Sequence, residues 1–488
     1  MTTTLPLLFA CADGSPAKDS AQEVLIEEPA ETLEPGPWAA RASLDLRGRR
    51  ISAEELARVE ADPAVLEELV ELWVSEPAFA ERMAWRYNDR AHVATHFLAT
   101  PARDFTSASE EALRALGWEP LELVRRVILA DLPFSEVVTA GWLPRHPAQA
   151  ELLGWSHGGD DWEAYGAPDE RVMSGLLSSS SFWLRYDGDL TNYNRRRANA
   201  IADVFLCSNF LERDTSFEFD LAPEDLLDME DAIRNDAACA TCHDALDPLA
   251  ASLGGFAERS VAAPLDELVL YSLHDEAYYR GWRPPAWFGV PVGDLADLGE
   301  RLAEDPRFAS CATRAFAEGL LGRGLEPADP LVEWTRGFQD EGLRVSALAR
   351  EVVLGPEYGA ADQRVLRPDQ IGDVLVGHGL DPDFAERLSF EVDVKVLAGG
   401  SDDDEVLNGN THPSLGHHLA LSWAGRELAA TRAAPEGAVR EALAELHQEF
   451  LGRPATSSEL DGLETLQAAA GWPGVYEGLV RHPEFLIY

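Results

Sequence analysis

The sequence predicts a mainly α-helical protein of several domains. Three observations carry that prediction: helix-start signals recur along the chain, apolar residues repeat at helical spacing, and one stretch alone alternates as a strand does. A chain of 488 residues also exceeds what one hydrophobic core organises, and its 46% hydrophobic content is ample for several.

Taken in order, Met1 to Ala10 is a short apolar run ending in a small residue just before Cys11. This is the outline of a bacterial lipoprotein signal, without the usual basic start and with a bulky Phe9. The expectation is a lipid on Cys11, with secretion alone as the alternative. From Ala12 to about Pro37 the chain is rich in Ala, Glu, Asp, Ser and Pro and has no periodicity, as in a disordered tether. No later segment is long and apolar enough to span a bilayer.

A module then recurs. Gly48-Arg49 leads into a helix whose Ser52 and Glu55 have capping-box spacing, and Gly452-Arg453 leads likewise to Thr456 and Glu459. The first copy runs on to Glu76-Pro77-Ala78-Phe79 and the last to His482-Pro483-Glu484-Phe485. A looser copy runs from Leu321-Gly322-Arg323 to Gly355-Pro356-Glu357-Tyr358, with Asp305-Pro306-Arg307-Phe308 before it. From Gly to Pro the copies measure 29, 34 and 31 residues, close enough for one supersecondary unit. Val65, Leu66, Leu69, Val70 and Trp73 make one helical apolar stripe, and Val439, Leu443, Leu446 and Phe450 another. Both read as core.

Leu121–Leu129 and Asp297–Leu321 also read as helices. The alternating stretch is Phe390 to Val396, which enters an acidic turn at Ser401–Glu405 and then Asn408–Thr411. That spacing is not an EF-hand loop, and a solvated loop is the reading. The net charge of −46 argues against nucleic acid or an anionic membrane surface as a direct partner.

The residues richest in chemistry are Cys239-Ala240-Thr241-Cys242-His243. Two cysteines three apart followed at once by histidine is the attachment pattern of a c-type haem. Each thiol adds to a haem vinyl group, and the histidine then lies under the iron as its proximal ligand. With five Cys and twelve His in the chain, the pattern arises by chance in about one such chain in a thousand. A zinc site wants a second ligand pair, and Cys11, Cys207 and Cys311 are single and far apart. A free redox pair is the other alternative, but no βαβ pattern surrounds it.

On these residues the chain resembles the planctomycete-type cytochrome proteins and their associated domains, large secreted bacterial proteins. Arg171-Val172-Met173-Ser174-Gly175-Leu176-Leu177-Ser178 resembles the opening of that family's cytochrome region. Phe205-Leu206-Cys207 is similar to its next step, and the likeness runs on through Asn235–His243 to Asp247-Pro248. Leu302–Cys311 through Arg323 is similar to the domain that usually follows, and Leu44–Arg49 to another. After Pro248 the family's usual Gly-Phe and acidic-Asn-Phe-Asp run is replaced by Leu249 to Ala257. The resemblance implies one covalent haem c and these divisions: leader and linker 1–37, N-terminal helical domain 38–145, cytochrome region 146–263, following helical domain 264–362, and C-terminal domain 363–488.

In the haem reading, His243 ligates iron through Nε2, and a backbone carbonyl near Pro248 is the expected acceptor for its other nitrogen. The sixth ligand is open among Met173, Met229 and His274. No methionine follows the motif. Arg195, Arg196 and Arg197 either neutralise haem propionates or form a solvated helix face. His92 and His96, spaced to share a helix face, offer a weaker metal pair with no third ligand. Once Cys11, Cys239 and Cys242 are assigned, Cys207 and Cys311 remain in a chain expected to be exported. They pair in an oxidising compartment, or else pack as two buried thiols. The expected function is electron transfer or redox sensing at the cell envelope, in the periplasm or on an outer-membrane anchor, with an unknown redox protein as partner. The alternatives are an envelope scaffold with a structural haem, and a peroxidase-like haem enzyme with an open sixth position.

Overall fold

The computed structural model describes residues 32–95, 108–186, 194–212, 237–256, 271–360, 364–385 and 415–488. Cys11, His96, Met229 and the Phe390–Thr411 stretch lie outside them. The protein is mainly helical, as its periodicity predicts. Helices α1 (Pro35–Arg47), α2 (Ala53–Ala61), α3 (Val65–Trp73) and α4 (Pro77–Ala91) are followed by α5 (Glu110–Leu129) and the short α6 (Glu136–Thr139). Strands β1 (Leu143–Arg145) and β2 (Glu163–Tyr165) pair antiparallel around α7 (Pro147–Leu152). Next come α8 (Ser180–Arg185), α9 (Arg195–Leu206), α10 (Ala237–Ala251) and α11 (Leu273–Trp282). A second antiparallel pair, β3 (Ala286–Trp287) and β4 (Val290–Pro291), leads to α12 (Leu295–Glu304), α13 (Pro306–Leu321), α14 (Leu331–Asp340) and α15 (Val345–Val353). The chain closes with α16 (Pro368–Gly377), α17 (Leu415–Thr431), α18 (Val439–Leu451), α19 (Ser457–Val480) and α20 (Pro483–Leu486).

The recurring module has one local grammar. Its glycines end helices in the left-handed conformation that glycine adopts without strain: Gly48 at φ 66, Gly322 at φ 68 and Gly452 at φ 76. Ser52 Oγ then accepts the Glu55 N–H at 3.2 Å while Glu55 accepts the Ser52 N–H at 3.0 Å. Thr456 and Glu459 repeat this at 3.3 and 2.7 Å. Two helices follow in each copy. In the last copy α19 supplies both, because Gly471 leaves the helix at φ 69 and ψ −169 just before Pro473. An arginine closes the unit: Arg49 reaches both Glu76 oxygens at 2.8 and 3.0 Å, and Arg453 reaches Glu484 at 2.6 and 2.9 Å. The middle copy departs from the pattern. Arg323 holds Asp329 instead, and Pro356 lies in a turn rather than at a helix start.

Two helical expectations change at prolines. The Leu121–Leu129 helix begins at Glu110 and runs through Pro120. Close approach of Thr95, whose N–H donates to the Gly117 carbonyl, seats that stretch, and a Cβ at 117 would stand 2.1 Å from the Thr95 oxygen. The Asp297–Leu321 helix is two helices, since Pro306 has no N–H to continue the first and Asp305 caps the second. The first apolar stripe is core, with Leu66, Leu69, Val70 and Trp73 buried. In the second, Leu443, Leu446 and Phe450 are buried but Val439 is exposed.

Buried apolar side chains from Ala39 to Tyr358 form one cluster, shared by the stretches 38–145, 146–263 and 264–362. A second cluster gathers residues 366–486 together with Leu44 of α1. Beside Leu44, Asp45 joins the two. Its Oδ1 accepts from Arg86 at 3.3 Å, Gln370 at 3.0 Å and the Tyr488 hydroxyl at 2.8 Å. Its Oδ2 accepts from the Tyr358 hydroxyl at 2.8 Å and Arg364 at 3.1 Å. A carboxylate this buried is tolerated only because every lone-pair direction is met.

Candidate haem site

The haem motif opens α10. On a helix, positions 239, 242 and 243 fall on one face, since residues three and four apart are neighbours there. Cys242 is partly buried against the main core, and its sulfur is unbridged. His243, one quarter exposed, turns Nδ1 toward Asp247 Oδ1 at 3.0 Å. An ionised carboxylate only accepts, so Nδ1 carries the proton and Nε2 keeps its lone pair.

This corrects the expected acceptor, which is the Asp247 side chain rather than a backbone carbonyl near Pro248. The reason is that α10 continues through Pro248 to Ala251, which brings His243 and Asp247 into i,i+4 register. The carbonyl freed by Pro248 is that of Asp244, whose residue is exposed to water. The i,i+4 spacing of His243 and Asp247 is the sequence signal for this pair.

Asp247 is itself clamped. Arg195 Nε donates to Oδ1 at 2.6 Å and Arg195 Nη2 to Oδ2 at 3.2 Å, while Arg283 Nη1 also contacts Oδ2. Burial pushes the Asp247 carboxyl up, but the hydrogen bonds from His243 and Arg195 and the charges of both arginines outweigh it. They hold the group well below the usual carboxylate range.

The three arginines of α9 thus divide. Arg195 grips Asp247, Arg196 is exposed, and Arg197 is buried, donating to the carbonyls of Tyr186 at 2.8 Å and Phe256 at 3.2 Å and to Asn194 Oδ1 at 2.7 Å. Arg195 thus ties α9 to α10, on which α9 packs directly, while Arg197 holds the turn that follows α10. Asn194, in the left-handed region at φ 67, adds a bond to the Leu253 carbonyl at 3.3 Å. From the other side, Tyr279 and Tyr271 fill the space that side chains at Gly254 and Gly255 would need. This accounts for the two glycines of the divergent Leu249–Ala257 stretch.

These contacts also place the sixth-ligand candidates. Tyr271, just before α11, and Tyr279 within it meet Gly255 and Gly254 in the turn after α10, while Arg283, just past α11, meets Asp247. His274 is exposed, roughly 13 Å along the helix axis from Arg283 and toward the far end. Met173 Sδ accepts the Ala167 N–H at 3.4 Å, and nearby Arg171 lies over the Tyr271 ring at 4.6 Å. The Met173 segment therefore lies near the Gly254–Phe256 turn that follows α10. Met229 is the candidate outside the described residues.

Of the pair His92 and His96, His92 lies past the end of α4 at Ala91 and turns into the left-handed conformation at φ 47, and His96 lies outside the described residues. Among the described residues no group of three or more His, Cys, Asp or Glu side chains is placed to hold a metal ion. Cys207, which caps α9 at φ 49, is disulfide-bonded to Cys311 of α13, with Cα atoms 5.3 Å apart. So α9 meets the haem helix at its start and is stapled to α13 at its end. No described helix is long and apolar enough to cross a membrane. The chain matches no protein-family model, no curated protein and no solved structure.

Proposed function

We propose that this protein is an exported cytochrome carrying one haem c on α10, which moves single electrons or reports redox state at the cell envelope. The observation that carries the reading is the alignment on one helix of the two cysteine positions, His243, and the Asp247 that fixes the His243 tautomer. The likeness of residues 171–178, 205–207 and 235–248 to planctomycete-type cytochrome proteins supports it. Cys239 and Cys242 would hold the haem through thioether bonds, and His243 Nε2 would ligate its iron. Haem held there supplies a one-electron Fe(III)/Fe(II) couple.

The protein's own residues do the rest. Asp247 orients the imidazole, Arg195 and Arg283 hold Asp247, and α9 with Tyr271 and Tyr279 keeps α10 rigid. Because thiol attachment of haem takes place outside the cytoplasm, export comes with the reading, and Cys11 is the proposed lipid anchor. The test is an optical redox titration of protein matured with c-type assembly machinery. A low-spin, reversibly reducible haem supports electron transfer. A high-spin haem with an open sixth position overturns it in favour of a peroxidase-like enzyme.

A further inference from the structure

Resting on the haem reading, we propose that Asp247 and its two arginines form a charge set that tunes the iron in opposite senses. Asp247, acting through His243, favours the oxidised iron, and Arg195 and Arg283 oppose it. The observation is the convergence of three elements on one carboxylate. Oδ1 is shared by His243 Nδ1 of α10 and Arg195 Nε of α9, while Oδ2 is shared by Arg195 Nη2 and Arg283, just past α11.

Packing does not require this cluster. Helix α9 already packs directly on α10, Asn194 and Arg197 hold the turn after it through the Leu253 and Phe256 carbonyls, and Tyr279 and Tyr271 pack on Gly254 and Gly255 of that turn. What the cluster does touch is the ring nitrogen of the proximal histidine. A carboxylate accepting from that N–H makes the imidazole a stronger electron donor, which stabilises the more highly charged iron. Each guanidinium weakens that pull and adds positive charge nearby, which stabilises the reduced iron. Asp247, Arg195 and Arg283 are positioning residues, since none touches the iron.

The experiment is an optical redox titration of the holoprotein and of Asp247→Asn, Arg195→Gln and Arg283→Gln. Each is first checked for covalent haem by staining after denaturation. Asp247→Asn is expected to raise the Fe(II)/Fe(III) ratio at fixed potential at least tenfold, which is 59 mV for one electron. Arg195→Gln and Arg283→Gln are expected to lower it. A merely structural cluster moves all three variants the same way as the haem pocket loosens. Same-sign shifts, or shifts under twofold in haem-loaded variants, overturn the proposal and leave the haem reading standing. A wild-type chain that takes up no haem overturns the haem reading itself. Should Asp247→Asn fail to fold, the sign of the two arginine variants decides.

Discussion

Asp45 and Asp247 are the same device put to two uses. Each is a carboxylate almost wholly removed from water and each is gripped by two guanidiniums, Arg86 and Arg364 in one case, Arg195 and Arg283 in the other. They differ in what completes the shell. Asp45 is finished by Tyr358, Tyr488 and Gln370, groups whose only business is the fold, and it ties α1 to the last residue of the chain. Asp247 is finished by His243, whose second nitrogen remains available. A closed shell makes a lock. A shell that ends on an imidazole makes a support for something else.

The sharpest way to break this comparison is to neutralise each carboxylate in turn. Asp45→Asn leaves two buried guanidiniums without their countercharge, and the expected loss is about 3–5 kcal/mol of unfolding free energy. Urea denaturation measures it; a loss under 1 kcal/mol contradicts the lock. Asp247→Asn, by contrast, is expected to keep a near-native urea midpoint and change the iron instead.

The next effect is the Cys207–Cys311 bridge. It encloses α10 in a loop of 104 residues, so replacing both cysteines by alanine is expected to cost about 2–4 kcal/mol. Peptide mapping without reduction checks the bond directly, and free alkylation of both cysteines contradicts it.

A smaller effect belongs to the module caps. Thr456→Ala is expected to cost about 1 kcal/mol, and Ser52→Ala a similar amount, with neither changing the haem spectrum.

Acid gives the finest distinction. Burial pushes the Glu55 carboxyl up, yet the Arg47 and Ser52 hydrogen bonds outweigh it and bring it down to about 2, from an ordinary 4.5. A folded pKa below the unfolded one means this stability is present above pH 4.5 and is lost as pH falls toward 2. Glu55→Gln should flatten that limb of the urea-midpoint profile. An unchanged slope contradicts the assignment.

What the sequence made legible was what neighbours decide. The Gly-Arg turns, the capping boxes and the Val65–Trp73 stripe each depend on residues within a few positions, and the structure places them as read. Two expectations change near prolines: the helix expected from Leu121 begins at Glu110 and passes through Pro120, and the acceptor expected from the backbone near Pro248 is the Asp247 side chain, on a helix that passes through Pro248. The two carboxylate shells were out of reach, because Asp45 is 443 residues from Tyr488 and Arg195 is 52 residues from Asp247. No periodicity links such partners. The thiols and His243 are proposed from spacing alone; the arginines that hold Asp247 carry no such spacing signal.

The central claim is covalent haem on α10, and one measurement meets it directly. Protein produced with c-type assembly machinery is denatured, run on a gel, stained for haem and weighed by mass spectrometry, alongside Cys239→Ala with Cys242→Ala. The account predicts a stained band with the mass of one added haem in the wild type, and neither in the double variant. A wild-type chain without that mass, or a double variant that stains as strongly, contradicts it.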